Sequence, residues 1–258
     1  VTSGALVTGA SGGLGERFAH RLAQAGRPVV LVARRADRLE TLAAELTDRH
    51  GVRALALPAD LADPGAPAAI EAALASRGWD VDLLVNDAGF GLAGAFDELD
   101  GARQLAILDV NARAVVDLTH RLLGPMRRRG RGAILNVAST AAFQPGPWFA
   151  VYYASKAFVL SWSEALHEEL APHGIHVTAL CPGPVDTGFA RVAGSGFGPL
   201  QRRFAVAPDA VVDAGLAGLA RNDAVVVPGR LNALVAATLR LLPRGAVRRL
   251  AARVQRAR

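Results

Sequence analysis

Thr8-Gly9-Ala10-Ser11-Gly12-Gly13-Leu14-Gly15 follows an apolar run at 5–8 and leads into a segment of helical period. Glycines let a backbone turn sharply and come close to a ligand. A helix N-terminus adds free N–H groups and the positive end of the helix dipole. A strand, a glycine turn and a helix in that order predict a cradle in which Gly9, Ser11, Gly12, Gly13, Leu14 and Gly15 hold the pyrophosphate of a dinucleotide. The spacing is G-x-x-x-G-x-G, not the common G-x-G-x-x-G.

Outward from this turn, short apolar runs recur at 29–33, 54–58, 83–86, 133–137, 176–180 and 224–227. Several are apolar at every position, as strands covered on both faces are. Segments of helical period, such as 39–49 and 70–77, fill the gaps. This rhythm predicts an α/β fold: one Rossmann-type doubly wound domain over 1–258, with a mostly parallel sheet of about seven strands flanked by helices. The length of 258 residues suits one such domain. A glycine-rich irregular stretch at 184–199 follows a strand, where loops form binding sites, so 184–205 is the expected substrate loop.

The second strand ends in Arg34-Arg35. An acid at that point would bind the 2′-hydroxyl of an adenine ribose. Two guanidinium groups instead suit a 2′-phosphate. The expected cofactor is NADP(H).

Tyr152 and Lys156 lie one turn apart on a helix expected from 152 to about 171, so both can face one cleft. A free phenol has a pKa near ~10, and a neighbouring ammonium lowers it. Tyr152 can then exchange a proton with a carbonyl or alcohol oxygen. Lys156 is the sole lysine among 29 basic side chains, the rest being Arg. Ser139, at the end of a strand, can hold the substrate oxygen near Tyr152; Thr140 is the competing hydroxyl.

With these motifs in order, the chain resembles the standard branch of the short-chain dehydrogenase/reductase family over nearly its full length. The resemblance rests on 8–15, Asn86-Asp87-Ala88-Gly89, Asn111, Ser139, the Tyr152/Lys156 pair and Pro182-Gly183 with Thr187. It implies that Tyr152 is the acid/base, that Ser139 orients the carbonyl, and that Lys156 binds the nicotinamide ribose while lowering the Tyr152 pKa. It implies that Asn111 holds a water relaying protons through Lys156. Asp60 and Leu61 would contact adenine, and Asn86, Ala88 and Gly89 would line the cofactor. Pro182, Gly183, Val185 and Thr187 would cover the nicotinamide, and the pro-S hydride would move. It also implies a homodimer or homotetramer paired through 113–129 and the helix from Tyr152. Asp87 departs from the family's usual Asn, and no basic residue stands inside the glycine loop.

Phe90, Phe143, Gln144, Trp148, Phe149, Phe189 and Phe197 cluster around the site motifs, so a small hydrophobic carbonyl or alcohol is the expected substrate. The net charge of +6 points away from nucleic acid once it is located. Seven arginines and no acid occupy 240–258, and setting them aside takes the charge from +6 to −1. This basic tail has leucines and valines at helical spacing, a pattern that also suits peripheral contact with an anionic membrane. No run is long enough to span a bilayer. Residues 1–8 read as a strand rather than a leader, and the one cysteine, Cys181, suits a reducing compartment as a small buried residue, so a cytoplasmic location is expected. No metal site is expected. The competing readings are a non-catalytic NADP-binding sensor or scaffold, and a membrane-associated lipid or steroid reductase.

Overall fold

The computed structural model describes residues 1–195 and 198–256. β1 (Thr2–Thr8), β2 (Val29–Ala33), β3 (Ala54–Pro58), β4 (Trp79–Asn86), β5 (Gly132–Val137), β6 (Ile175–Leu180) and β7 (Val225–Val226) form one parallel sheet in the order β3-β2-β1-β4-β5-β6-β7. The chain steps outward from β1 to β3, returns beside β1 as β4, and then steps the other way. The reversal opens a crevice at the carboxyl ends of β1 and β4, where doubly wound sheets take their ligands.

The connections carry α1 (Gly13–Gln24), α2 (Ala36–His50), α3 (Ala66–Ser76), α4 (Gly101–Leu108), α5 (Ala114–Arg129), α6 (Ala150–Leu170), α7 (Phe189–Val192), α8 (Pro199–Phe204), α9 (Pro208–Arg221), α10 (Arg230–Leu241) and α11 (Arg244–Arg256). Alternate strand residues point to opposite faces. Ala5 and Val7, Val29 and Leu31, and Leu83 and Val85 pack under Phe18, Leu39, Leu46 and Val211 from α1, α2 and α9. Leu6, Val30, Val32, Leu84 and Ile134 pack against Ile70, Leu74, Leu118 and Met126 from α3 and α5. Both faces are covered, which explains strands that are apolar throughout.

A single π-helical turn, Asp109–Arg113, joins α4 to α5 and turns Asn111 fully inward. Such turns commonly mark functional positions in helices. The stretch expected to be irregular at 184–199 holds α7 and the start of α8. The strand expected at 224–227 shortens to β7. Phe197, expected near the pocket, lies outside the described residues. The basic tail is helical as α11, but its Val247 and Ala251 are buried against the body. Cys181 is fully buried, and burial pushes its thiol up to about 12, so it is unreactive at neutral pH. Among the described residues no helix is long and apolar enough to cross a membrane.

Candidate active site

The end of β1, the glycine turn and the end of β4 are tied into one floor. The buried Thr8 hydroxyl accepts the N–H groups of Asp87 and Ala88, each at 3.0 Å. Gly9 has φ of 72°, and a Cβ there would lie 3.0 Å from the Ala88 backbone. A Cβ on Gly15 would lie 2.5 Å from the Gly9 carbonyl oxygen. These two positions need glycine so that α1 can start directly beneath the turn.

The Asp87 carboxylate accepts the Gly15 N–H within the first turn of α1. Burial nevertheless pushes its pKa up to about 7, against the pull of the Lys156 ammonium. Burial also pushes Lys156 down to about 8, with Asp87 opposing. Desolvation thus outweighs the mutual attraction in this pair.

A cleft of about 1390 Å³ runs over this floor. Arg34, Arg35, Asp60 and Leu61 line one part, and Ser139, Phe149, Tyr152 and Phe189 line another. The Arg35 guanidinium donates to the Ser11 carbonyl oxygen at 2.6 Å and to its hydroxyl at 3.1 Å. It therefore lies along the glycine turn, while Arg34 stands exposed beside it. The close-approach glycines, the helix N-terminus and the arginine pair fit a phosphorylated dinucleotide.

Within the cleft α6 carries Tyr152 and Lys156 on one face. The Lys156 Nζ lies 5.9 Å from the Tyr152 ring centroid and donates to the Val137 carbonyl oxygen at 2.7 Å. The Ser139 hydroxyl is hydrogen-bonded to the Tyr152 phenol. The Tyr152 ring is packed by Phe149 at 5.0 Å and Phe189 at 5.2 Å, centroid to centroid. Burial raises the phenol above its ordinary pKa, Ser139 opposes this, and Tyr153 adds to it. The expected lowering by Lys156 is therefore not found: the phenol is desolvated, and the ammonium spends a donor on Val137.

Most of the residues expected at the site line this cleft, including Gly9, Ser11, Gly12, Gly13, Leu14, Ala88, Gly89, Pro182, Gly183, Val185 and Thr187. Gly15, Asn86 and Asn111 do not. Gly15 is a packing glycine. Asn86 is buried, and its amide donates to Thr119 and to Asn136, which in turn donates to Ser163. That chain of amides holds β4, β5, α5 and α6 together. Asn111 accepts the Phe90 N–H at 3.1 Å and donates to the Phe90 carbonyl and the Ser155 hydroxyl, each at 3.0 Å. It fixes the wall after Gly89 from behind. Phe143 also stays out of the cleft, packing near Ala138 and Val159 with Arg240 over its ring at 5.1 Å. Arg103 lines the cleft without having been singled out in the sequence, Arg191 and Gln201 line it from the expected substrate loop, and Tyr153 lines it beside Tyr152. Trp148, at the lip, holds a left-handed φ of 58°. Such a conformation in a bulky residue costs energy and tends to occur at functional sites. Among the described residues no cluster of His, Cys, Asp and Glu could hold a metal ion.

The sequence profile of the short chain dehydrogenases matches residues 3–196. The chain belongs to the short-chain dehydrogenase family. It is similar to Nodulation protein G of Rhizobium sp. (strain N33), 39% identical over 183 residues, which are 71% of this chain and 73% of that protein. A very-long-chain 3-oxoacyl-CoA reductase-like protein of Arabidopsis thaliana is 37% identical over 190 residues, 72% of this chain and 60% of that one. The solved structure of a short-chain dehydrogenase from Sphingobium yanoikuyae in complex with NADPH superposes with a TM-score of 0.81 at 35% identity, covering 93% of this chain and 95% of that one. The family makes this chain an oxidoreductase with a Rossmann-like parallel sheet. The profile match ends before α8, so α10 and α11 lie outside it.

Proposed function

We propose that the protein interconverts a ketone or aldehyde and an alcohol with NADP(H), using Tyr152 as acid/base. The observation that carries this reading is the meeting of Ser139, Tyr152 and Lys156 in the cleft that Arg34 and Arg35 also line. The Sphingobium relative bound to NADPH supports the same cofactor. Gly9, Ser11, Gly12, Gly13 and Leu14 would cradle the pyrophosphate, Asp60 and Leu61 would meet the adenine, and Arg34 with Arg35 would pair with the 2′-phosphate. When bound, the cofactor supplies or accepts a hydride. Ser139 holds the carbonyl oxygen beside the Tyr152 hydroxyl. Tyr152, kept neutral by burial, gives that oxygen its proton during reduction and takes it back from the alcohol in the reverse direction. Lys156 binds the nicotinamide ribose and replenishes the phenol. Both Asn111 amide hydrogens are in use, so a relay water there would sit on a carbonyl oxygen.

The substrate part of the cleft is walled by Phe90, Trp148, Phe149 and Phe189, which favours a hydrophobic carbonyl compound. Residues 184–205, with α7 and α8, serve as the substrate loop of one domain spanning 1–258, and 240–258 as its basic tail. Exposed Leu105, Leu108 and Phe158 on α4 and α6 suit the family's homodimer or homotetramer. Lone buried Cys181 suits the cytoplasm. Loss of NADPH absorbance with a panel of aryl and alkyl ketones tests the reading. Equal or better kcat/KM with NADH overturns the cofactor assignment. Tight NADPH binding without turnover on any carbonyl compound favours the sensor.

A further inference from the structure

α10 presents its apolar side to solvent. Leu231, Leu234, Val235, Leu241 and Leu242 fall at i, i+3, i+4, i+10 and i+11, on one face or just past its last turn. These residues are 41%, 63%, 39%, 85% and 42% exposed. A soluble helix usually turns such a stripe toward the core. Here the core side is filled by Asn232 and Ala236 instead. The Asn232 amide donates to the carbonyl oxygens of Phe204 and Pro228, each at 3.0 Å. It also sits against Gly183, where a Cβ would meet it at 2.5 Å. The helix is therefore fixed to the wall of the cleft, and its leucine face is held outward.

The charge carried by this segment of the chain has one sign. From 224 to 258 there are eight arginines and no Asp or Glu. Among the described residues only Arg240 of these meets an acid, Glu164 at 3.7 Å. Arg230 stands at one end of the stripe, and Arg244, Arg248 and Arg249 follow the other. A second copy of the chain offering the same face would set arginine against arginine. A bilayer rich in anionic lipid offers phosphates to the arginines and an acyl boundary to the leucines.

We propose that the solvent face of α10, with its flanking arginines, docks the protein on an anionic lipid surface. The docked face lies directly behind the Gly183 wall of the cleft, so a hydrophobic substrate held in that lipid would be close to the site. Docking itself does not depend on the catalytic reading.

The test is co-sedimentation of the full chain with vesicles of pure phosphatidylcholine and with vesicles containing about 30 mol% phosphatidylglycerol. Partitioning onto the anionic vesicles should exceed that onto the neutral ones at least ~10-fold and should fall as salt is raised. Leu234→Glu with Leu241→Glu should lower it about 10-fold or more. Arg244→Gln, Arg248→Gln and Arg249→Gln together should lower it roughly 5-fold per arginine. Solution turnover of a soluble ketone with NADPH and the melting temperature should stay near wild type in both variants, which separates failure of docking from failure of the catalytic reading. Absence of binding to anionic vesicles, or equal binding by wild type and the Leu→Glu variant, overturns the proposal. So does a wild-type dimer or tetramer that the Leu→Glu variant splits with no change in vesicle binding, because the stripe is then a subunit contact.

Discussion

Replacing Asp87 by Asn isolates the electrostatic cost of the cleft floor. Burial lifts this carboxyl from its ordinary 3.8 to about 7. Between those values the folded protein holds a proton that the unfolded chain has released. Stability therefore falls as pH rises from about 4 to about 7, and the whole cost is present above pH 7. A rise of that size corresponds to roughly 4 kcal/mol. The amide keeps an acceptor for the Gly15 N–H and removes the charge. It also deprives Lys156 of its carboxylate, which returns part of the gain. The expected net stabilisation is about 2 kcal/mol at pH 8, or roughly 5 °C in Tm for a chain of this size. It should shrink toward zero as pH approaches 4. Thermal melts of wild type and Asp87→Asn across pH 4–8 measure it directly. A gain that does not depend on pH, or a loss at pH 8, would refute the reasoning.

Three further outcomes follow from the same geometry. Arg34→Ser with Arg35→Ser should raise KM for NADPH about 10- to 100-fold, as expected for lost charge-assisted hydrogen bonds, with a smaller effect on NADH through the Arg35–Ser11 contact. Steady-state kinetics with both cofactors check this. Because burial holds the Tyr152 phenol above its ordinary pKa, log kcat/KM for alcohol oxidation should rise with a slope near one up to about pH 9. A plateau below about pH 8 would mean that the phenolate is stabilised after all. Gly15→Ala places a methyl 2.5 Å from the Gly9 carbonyl oxygen and 2.9 Å from an Asp87 oxygen. It should cost about 1–3 kcal/mol in a denaturant titration and weaken NADPH binding.

The sheet was largely legible because its strands are covered on both faces. The runs at 29–33 and 54–58 coincide with β2 and β3. β4 begins four residues before the run at 83–86, at Trp79. Its first half carries Asp80 and Asp82, which pair with Arg129 and Arg27 from distant segments, and no local pattern announces such partners. The Tyr152/Lys156 pair followed from one helical turn. The direction of the Lys156 ammonium did not, because it depends on the Val137 carbonyl at the end of another strand. Asn86 is expected at the cofactor and Asn111 at a relay water, and their amide groups turn instead to Thr119 and Asn136, and to Phe90 and Ser155. A motif gives the residue type and leaves open which way the side chain turns. For the leucines of α10, only the packing of Asn232 and Ala236 on the opposite side shows which way the stripe looks.

Tyr152→Phe, compared with Tyr153→Phe, tests the central claim most directly. Turnover of a ketone found in the screen is measured beside NADPH binding by fluorescence. The account expects Tyr152→Phe to lower kcat about 10²- to 10⁴-fold while the NADPH Kd stays within about twofold, and expects Tyr153→Phe to keep most of its turnover. A Tyr152→Phe enzyme that still reduces the ketone at near wild-type rate would contradict it.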